Sequence, residues 1–356
     1  MDLVSLTLSD WEARMRELGQ PKFRAKQILG WIHRKRAMAW DAMTDLPADL
    51  RSRLTEEFPE PRLVAILETG SADTTRKFLF RLADGQSVET VLIPASPASN
   101  GEMSDRRTLC VSTQVGCAYG CKFCASGLGG WKRNLSAGEI VDQLLQVESI
   151  AGERVGNLVF MGMGEPLANF DNLLRSIEIL NAPWGVALGA RHMTVSTSGL
   201  APQIRKLAEL PTQIRLAVSL HGATDDIRNR IMPVNAKYPL VELLDACETF
   251  HRAKKQRVTF EYILIRDLND APEQALALAT LARRIDAKVN LIPCNPVEGL
   301  PWERPATVRQ EAFLQALLRA GTNVTLRREK GSDIAAACGQ LRLQTENSVA
   351  REDATR

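Results

Sequence analysis

A chain of 356 residues is long for one small domain and has room for an α/β barrel of roughly 200–250 residues beside an accessory module. With 45% apolar and 24% charged residues it has the composition of an ordinary globular protein, which excludes collagen-like, disordered and membrane-spanning classes. The net charge of +3 neither demands nor excludes a nucleic-acid partner, so where the cations fall matters more than their sum. Met1-Asp2-Leu3-Val4 lacks the basic-then-apolar signature of a secretory signal, and no run of about eighteen apolar residues occurs. A cytoplasmic protein without membrane attachment is expected, in a compartment that keeps thiols reduced.

In chain order, Ser9 and Glu12 read as a capping box ahead of an apolar-periodic helix through Trp11 and Leu18, stopped by Gly19 and Pro21. Phe23, Ile28, Leu29 and Ile32 recur at helical spacing, and Pro47 opens a further helix to about Phe58, before Pro59 and Pro61. Residues 1–60 are therefore expected to form a small helical domain. Its cations Lys22, Arg24 and Lys26, with His33, Arg34, Lys35 and Arg36, make a basic region; Lys254, Lys255 and Arg257, and Arg327, Arg328 and Lys330, make others. Each group can be a solvated face, and together they allow a phosphate-backbone partner. Strand signals follow at 63–67, 77–82 and 87–93, the last two joined by an Asp84-Gly85 turn, and residues 94–101 have a linker composition. Residues 61–105 thus read as a β-hairpin and linker region.

From Thr108 onward strand and helix alternate, with apolar β-branched runs at 108–112, 157–161, 193–197, 214–220, 258–264 and 289–293. The first intervening helix is capped by Ser136 with Glu139 three residues on. Six strand–helix repeats predict an α/β fold with a parallel sheet curled into a partial (β/α)6 barrel over 106–344. A last strand at 323–328 precedes a loop with Gly331 and Ala337-Cys338-Gly339, and 345–356 reads as a tail.

The chemistry concentrates between Cys110 and Cys124, which hold four of the seven cysteines. Cys117, Cys121 and Cys124 spell CxxxCxxC. Three thiolates in so short a loop can hold three irons of a [4Fe-4S] cluster and leave the fourth open to bind and reduce a substrate. A structural zinc would call for a fourth Cys or His nearby, and no His lies within the loop. Barrel active sites lie at the C-terminal strand ends, where Gly162 and Gly164 would let backbone approach a ligand and Glu165 could hold its ammonium or hydroxyl. His221 follows another strand end, which it could equally cap from within. Cys110 and Cys338, if brought to one cavity, could do nucleophilic chemistry and release a covalent product as a disulfide; both could also be small core residues. Cys247 reads as core, and the role of Cys294 stays open.

With these residues assembled, the chain resembles the RlmN/Cfr family of radical S-adenosylmethionine (SAM) RNA methyltransferases over nearly its whole length. The matching stretches are Val88–Val91, Cys110–Cys124, Met161–Pro166, Ser196–Gly199, Ser219-Leu220-His221, Asn290–Pro296 and Ala337–Leu341. The resemblance implies two SAM molecules per turnover. The first methylates Cys338; the second, at the open iron, gives a 5'-deoxyadenosyl radical that takes hydrogen from the cysteine methyl. The methylene radical then adds to an adenine carbon of RNA, Glu89 serves as a proton acceptor, and Cys110 resolves the adduct through a disulfide with Cys338. Gly164, Glu165, Ser196, Ser219, Leu220, His221 and Asn295 would line SAM, and Cys117, Cys121 and Cys124 would hold the cluster.

Pro166 and Pro293 look more like the RlmN branch, which acts on carbon 2 of adenosine in large-subunit (23S) ribosomal RNA and some transfer RNAs. Cys294 stands where an aromatic residue is expected, which keeps the carbon-8 chemistry of the Cfr branch in view. A non-catalytic RNA-binding protein with a structural metal site is the alternative of a different kind. The further implied partners are an electron donor such as flavodoxin, and the enzyme is expected to act as a monomer.

Overall fold

A computed structural model describes residues 2–37, 39–58, 63–95, 106–327, 330–337 and 339–341. Three helices come first: α1 (Leu8–Glu17), α2 (Phe23–His33) and α3 (Ala48–Glu57). Trp11 packs its ring against Trp40 and Phe58 at centroid distances of 6.2 and 5.4 Å, over Ile28, Leu29, Leu50 and Leu54. The cap of α1 corrects the expected Ser9/Glu12 box. Thr7 is the N-cap, accepting from the Asp10 amide, while the Asp10 carboxylate accepts the Thr7 amide at 2.8 Å. Two Ser/Thr-x-x-acid frames overlap here, and the earlier one starts the helix with Trp11 and Met15 both facing the core. The expected helix from Pro47 is present as α3, with Pro47 at its N-cap.

Strands β1 (Val64–Gly70), β2 (Arg76–Arg81), β3 (Ser87–Pro94) and β4 (Arg107–Cys110) follow, each antiparallel to the next. Gly85, at φ +81, makes the tight turn between β2 and β3 possible. Next come a short separate ribbon, β5 (Gln114–Gly116) with β6 (Trp131–Asn134), and then the alternating series. That series is α4 (Ala137–Ala151), β7 (Asn157–Phe160), α5 (Phe170–Asn181), β8 (Met193–Thr197), α6 (Ala201–Glu209), β9 (Arg215–Ser219), α7 (Asp225–Ile231), α8 (Leu240–Lys254), β10 (Thr259–Leu264), α9 (Pro272–Arg284), β11 (Lys288–Pro293), α10 (Thr307–Arg319) and β12 (Val324–Leu326).

One ten-stranded sheet runs β1-β2-β3-β4-β7-β8-β9-β10-β11-β12, and from β4 onward every pairing is parallel. Helices cover one face of these parallel strands, where Leu158, Phe160, Val195, Leu216, Val218, Phe260 and Leu291 are all buried; the barrel-interior face is mixed, with Thr194 and Ser196 of β8 half-buried. The expected partial barrel is what forms. Through the pairs Val91↔Cys110 and Leu92↔Leu109, the antiparallel ribbon is an extension of that same sheet.

The helical module sits on the first barrel helix. The Asp2 carboxylate accepts from the Ser136 hydroxyl at 2.9 Å, the Gly138 amide donates to the Ser5 hydroxyl at 2.7 Å, and Arg36 pairs with the buried Glu148. Among the described residues no helix is long and apolar enough to cross a membrane. Pro59, Pro61, most of the linker, Arg328, Cys338 and the tail lie outside the described residues.

Candidate active site

The cysteine loop leaves β5 and returns through β6. Gly116, at φ +71, lies so close to the Gly130 carbonyl that any Cβ there would overlap it. Remote chain pins the loop: the Lys122 amide donates to the Ile231 carbonyl at 2.8 Å, the Ala125 amide to the Gly339 carbonyl at 2.8 Å, and the Trp302 indole to the Lys122 carbonyl at 2.6 Å. Cys117, Cys121 and Cys124 all line one cleft of about 920 Å³. Burial, and then the nearness of Cys124, push the Cys117 thiol up to about 12, and Cys121 is raised further in the same way. The Cys117 and Cys121 thiols thus resist ionisation until positive charge sits beside them, which a cluster of irons supplies. Among the described residues no three His, Cys, Asp or Glu side chains converge where a single metal ion could sit.

Opposite the cysteines, the cleft is walled by the loops after β7, β8 and β9. Gly162 packs on the Val111 backbone, where a Cβ would come within 2.7 Å of it, and Gly164 sits at φ +99 against Gln114. The Glu165 carboxylate accepts from the Ser198 amide at 2.6 Å and the Leu167 amide at 3.0 Å, while its own amide donates to Gln114 Oε1 at 2.8 Å. Burial pushes Glu165 up, against these amides. It joins the β7 and β8 loops as well as lining the cleft.

His221, at φ +55, is similarly anchored. Its Nδ1 accepts from the Ile263 amide at 3.0 Å and its carbonyl accepts from Asn269 at 2.8 Å. Burial, with Arg228 nearby, pulls its pKa down to about 3. The neutral ring therefore keeps its proton on Nε2, and Phe123 of the cysteine loop packs edge-on at 4.7 Å. The strand-end cap weighed from sequence and the cleft-lining role coexist in this residue. Ser196 and Ser219 also line the cleft.

A second cavity, of about 690 Å³, adjoins the first through Cys124, Ser126, Met161 and Gly162. Cys110, Asn295, Ala337 and Gly339 line it. Glu89 lies on β3 on the same sheet face as Cys110, since Val91 pairs with Cys110 and alternate residues share a face. It is fully buried, with the Lys77 ammonium 3.1 Å from its Oε1.

The comparisons agree with this geometry. Residues 1–59 match the ribosomal RNA large subunit methyltransferase N-terminal domain, and residues 111–279 match the radical SAM superfamily. A "Probable dual-specificity RNA methyltransferase RlmN" of Akkermansia muciniphila is 57% identical over 336 residues, 94% of this chain and 93% of that one. The "Dual-specificity RNA methyltransferase RlmN" of Campylobacter curvus is 44% identical over 354 residues, covering 97% of this chain and 94% of its own. The chain belongs to the RlmN family of radical SAM methyltransferases. A crystal structure of a radical SAM methyltransferase from Sphaerobacter thermophilus superposes with a TM-score of 0.91 at 45% identity, over 97% of this chain and 100% of that one.

RlmN membership brings SAM and a [4Fe-4S] cluster as cofactors. The residues expected around them are unequally placed. Leu220 is buried in the core with its amide donated to the Glu261 carbonyl at 3.0 Å, and its side chain does not line the cleft. Asn295 lines the Cys110 cavity and not the cysteine cleft, accepting from Arg304 at 3.0 Å. Cys338 lies outside the described residues, between two neighbours that line the Cys110 cavity. Cys247 is buried in the core as expected, and Cys294 is buried too.

Several residues of the site escaped the sequence reading. Arg228, fully buried, donates to the Ser198 and Ser219 carbonyls and so ties together two strand-end loops. Burial brings its pKa down to about 10. Gln143 accepts from the Thr90 hydroxyl and the Ser112 amide, both at 2.8 Å, and joins β3 to the chain after β4. Neither stands in a motif, and Gln143 sits in a helix that also carries Glu139, Asp142, Gln146 and Glu148, so nothing in the chain singled it out.

Proposed function

We propose that this protein methylates carbon 2 of adenosine in large-subunit ribosomal RNA and in transfer RNA, through a methylated Cys338. The observation that carries this reading is the adjacency of two cavities: the cleft of Cys117, Cys121 and Cys124 opens beside one lined by Cys110 and by both neighbours of Cys338, Ala337 and Gly339. A radical generator beside Cys110 and the neighbours of Cys338 is the arrangement a methyl relay needs. The large-subunit description of the N-terminal family supports the ribosomal substrate, and the "dual-specificity" names of relatives support a second RNA substrate beside it.

Ring carbon 2 of adenine is a poor nucleophile toward a sulfonium methyl, and the cluster with SAM supplies a carbon radical instead. In this reading Cys117, Cys121 and Cys124 hold the cluster, and Gly164, Glu165, Ser196, Ser219 and His221 shape the SAM side. Leu220 could meet SAM only through its backbone, and Asn295 only from the cavity next door. Two SAM molecules serve each turnover, one to load Cys338 and one to activate its methyl. Glu89 takes up the proton, and Cys110 releases the product by pairing with Cys338 as a disulfide. The target base must leave its stack, which favours a loop nucleotide. The helical domain of residues 1–60 faces the RNA, residues 61–105 connect it, and 106–344 form the catalytic core. The enzyme acts in the cytoplasm as a monomer, with an electron donor such as flavodoxin.

Anaerobic reconstitution with ribosomal and transfer RNA, followed by mass spectrometry of nucleosides, should yield 2-methyladenosine. The carbon-8 isomer would move the protein to Cfr-type chemistry. With SAM carrying a fully deuterated methyl, the product should lose deuterium, and complete retention would exclude the cysteine relay. One zinc per chain and no iron would leave a non-catalytic RNA-binding protein.

A further inference from the structure

Lys77 is the buried cation that the reaction as described leaves without a task. It lies on β2 opposite Val91, which in turn lies opposite Cys110, so the three residues form one row across β2, β3 and β4. Glu89 is two residues from Val91 and shares the face. Lys77 is only 8% exposed and Glu89 is 0% exposed. Its ammonium sits 3.1 Å from Glu89 Oε1 and donates to the Ala335 carbonyl at 3.4 Å. Ala335 is three residues before Cys338.

An interior Lys–Glu pair is an expensive way to fill space, because desolvating both charges offsets much of their attraction and apolar residues would pack the site at lower cost. The second contact makes the pair informative. A strut between two strands has no need to reach the C-terminal segment, yet this ammonium touches both the carboxylate and that segment. Neighbouring contacts hold the segment to the same ribbon. Asp73 accepts the Gly331 amide at 2.9 Å, Asp333 accepts the Ser71 hydroxyl at 2.6 Å, and Lys330 donates to the Pro94 carbonyl at 2.7 Å.

We infer that Lys77 is a positioning residue for the second half of the reaction: it keeps Glu89 ionised and aimed at the Cys110 side while holding the Cys338-bearing segment in register at Ala335. The inference rests on the reading of Glu89 as proton acceptor. The step it serves is a proton transfer without redox change. The carbon–hydrogen bond of the RNA adduct breaks, its electron pair stays on the adenine, and the proton passes by way of Cys110 to the Glu89 carboxylate, which becomes a carboxylic acid.

The test uses the full-length reconstituted enzyme with RNA and SAM, comparing Lys77→Met, Lys77→Arg and Glu89→Gln. Three quantities are read: turnover, the methyl load on Cys338 by intact mass, and denaturant-stable protein–RNA adduct. Lys77→Met is expected to lower kcat about 10- to 100-fold with KM for RNA little changed. Cys338 should still be methylated, and adduct should accumulate as it does in Glu89→Gln. Lys77→Arg, which keeps the charge, should recover most of the turnover. If Lys77→Met turns over at the parent rate while Glu89→Gln stalls, the role of Lys77 is wrong and that of Glu89 stands. If Lys77→Met loses the methyl load of Cys338 together with its cluster content and its cooperative denaturant melt, Lys77 merely supports the fold and the inference also fails. Full turnover by Glu89→Gln would remove the proton acceptor itself, and the inference with it.

Discussion

The two adjoining cavities are built to opposite specifications. Around the cysteine cleft, the loops are fixed by buried polar side chains that spend their hydrogen bonds on backbone: Glu165 on two amides, His221 on the Ile263 amide, Arg228 on two carbonyls. Around Cys110, one wall is strand register and the other is the segment 330–336, held from outside by Asp73, Asp333 and Lys330 at half-exposed or exposed positions. Buried anchors leave unsatisfied groups behind when removed and cost several kcal/mol, whereas exposed ones are worth about 1 kcal/mol or less. The first cavity is therefore held by buried anchors, and the second by a segment whose outer contacts are exposed while the buried Lys77 holds it from within at Ala335.

Breaking the first cavity at a ligand should have the largest effect. Cys121→Ala is expected to lose the cluster and essentially all turnover while remaining folded, checked by iron and sulfide content and by the visible absorption of the reconstituted protein. Arg228→Met strands the Ser198 and Ser219 carbonyls and should cost about 3 kcal/mol of stability, read from denaturant melts, with SAM binding weakened as well.

His221 sharpens the contrast through pH. Its folded-state pKa is pulled down to about 3, so the unfolded chain binds a proton that the folded chain refuses, and stability falls as pH drops below the ordinary histidine value. Between pH 6.5 and 5.5 the parent should lose about 1 kcal/mol that His221→Gln does not lose.

The smallest effect belongs to the outer clasp. Burial raises the Asp73 pKa, but hydrogen bonds from Thr75, Gly331 and Ser71 outweigh it and hold the carboxyl below its usual range. Its grip is thus present above that range and lost as pH falls through it. Asp73→Asn, or acidification of the parent, should speed tryptic cleavage at Lys330 while leaving SAM affinity unchanged. Equal loss of SAM affinity would show that the two cavities are not separable.

Much of this architecture could be read beforehand, for a physical reason. The parallel strands each bury at least one apolar face under the helices, so they stand out as short β-prone runs, and Met193–Thr197 fell where the run predicts, its half-buried Thr194 and Ser196 on the other face. The capping box of Ser136 and Glu139 was equally plain. The N-terminal box was misplaced by two residues because overlapping frames look alike until Trp11 finds its core. The β5–β6 ribbon was missed because its strands are three and four residues long and carry no apolar alternation. The CxxxCxxC loop announced itself, yet the anchoring tasks of Glu165 and Arg228, and the Lys77–Glu89 pair, depend on strands brought together only by the fold.

The pairing of β3 with β4 also divides the enzyme in a way the chain order conceals. Pro94 lies opposite Arg107 and Val91 opposite Cys110, so the ladder itself joins what lies before residue 95 to what lies after residue 106. The earlier piece contains Lys77 and Glu89; the later piece contains all seven cysteines. A chain cleaved between 95 and 106 should reassemble from two polypeptides, each inert until the sheet is made whole.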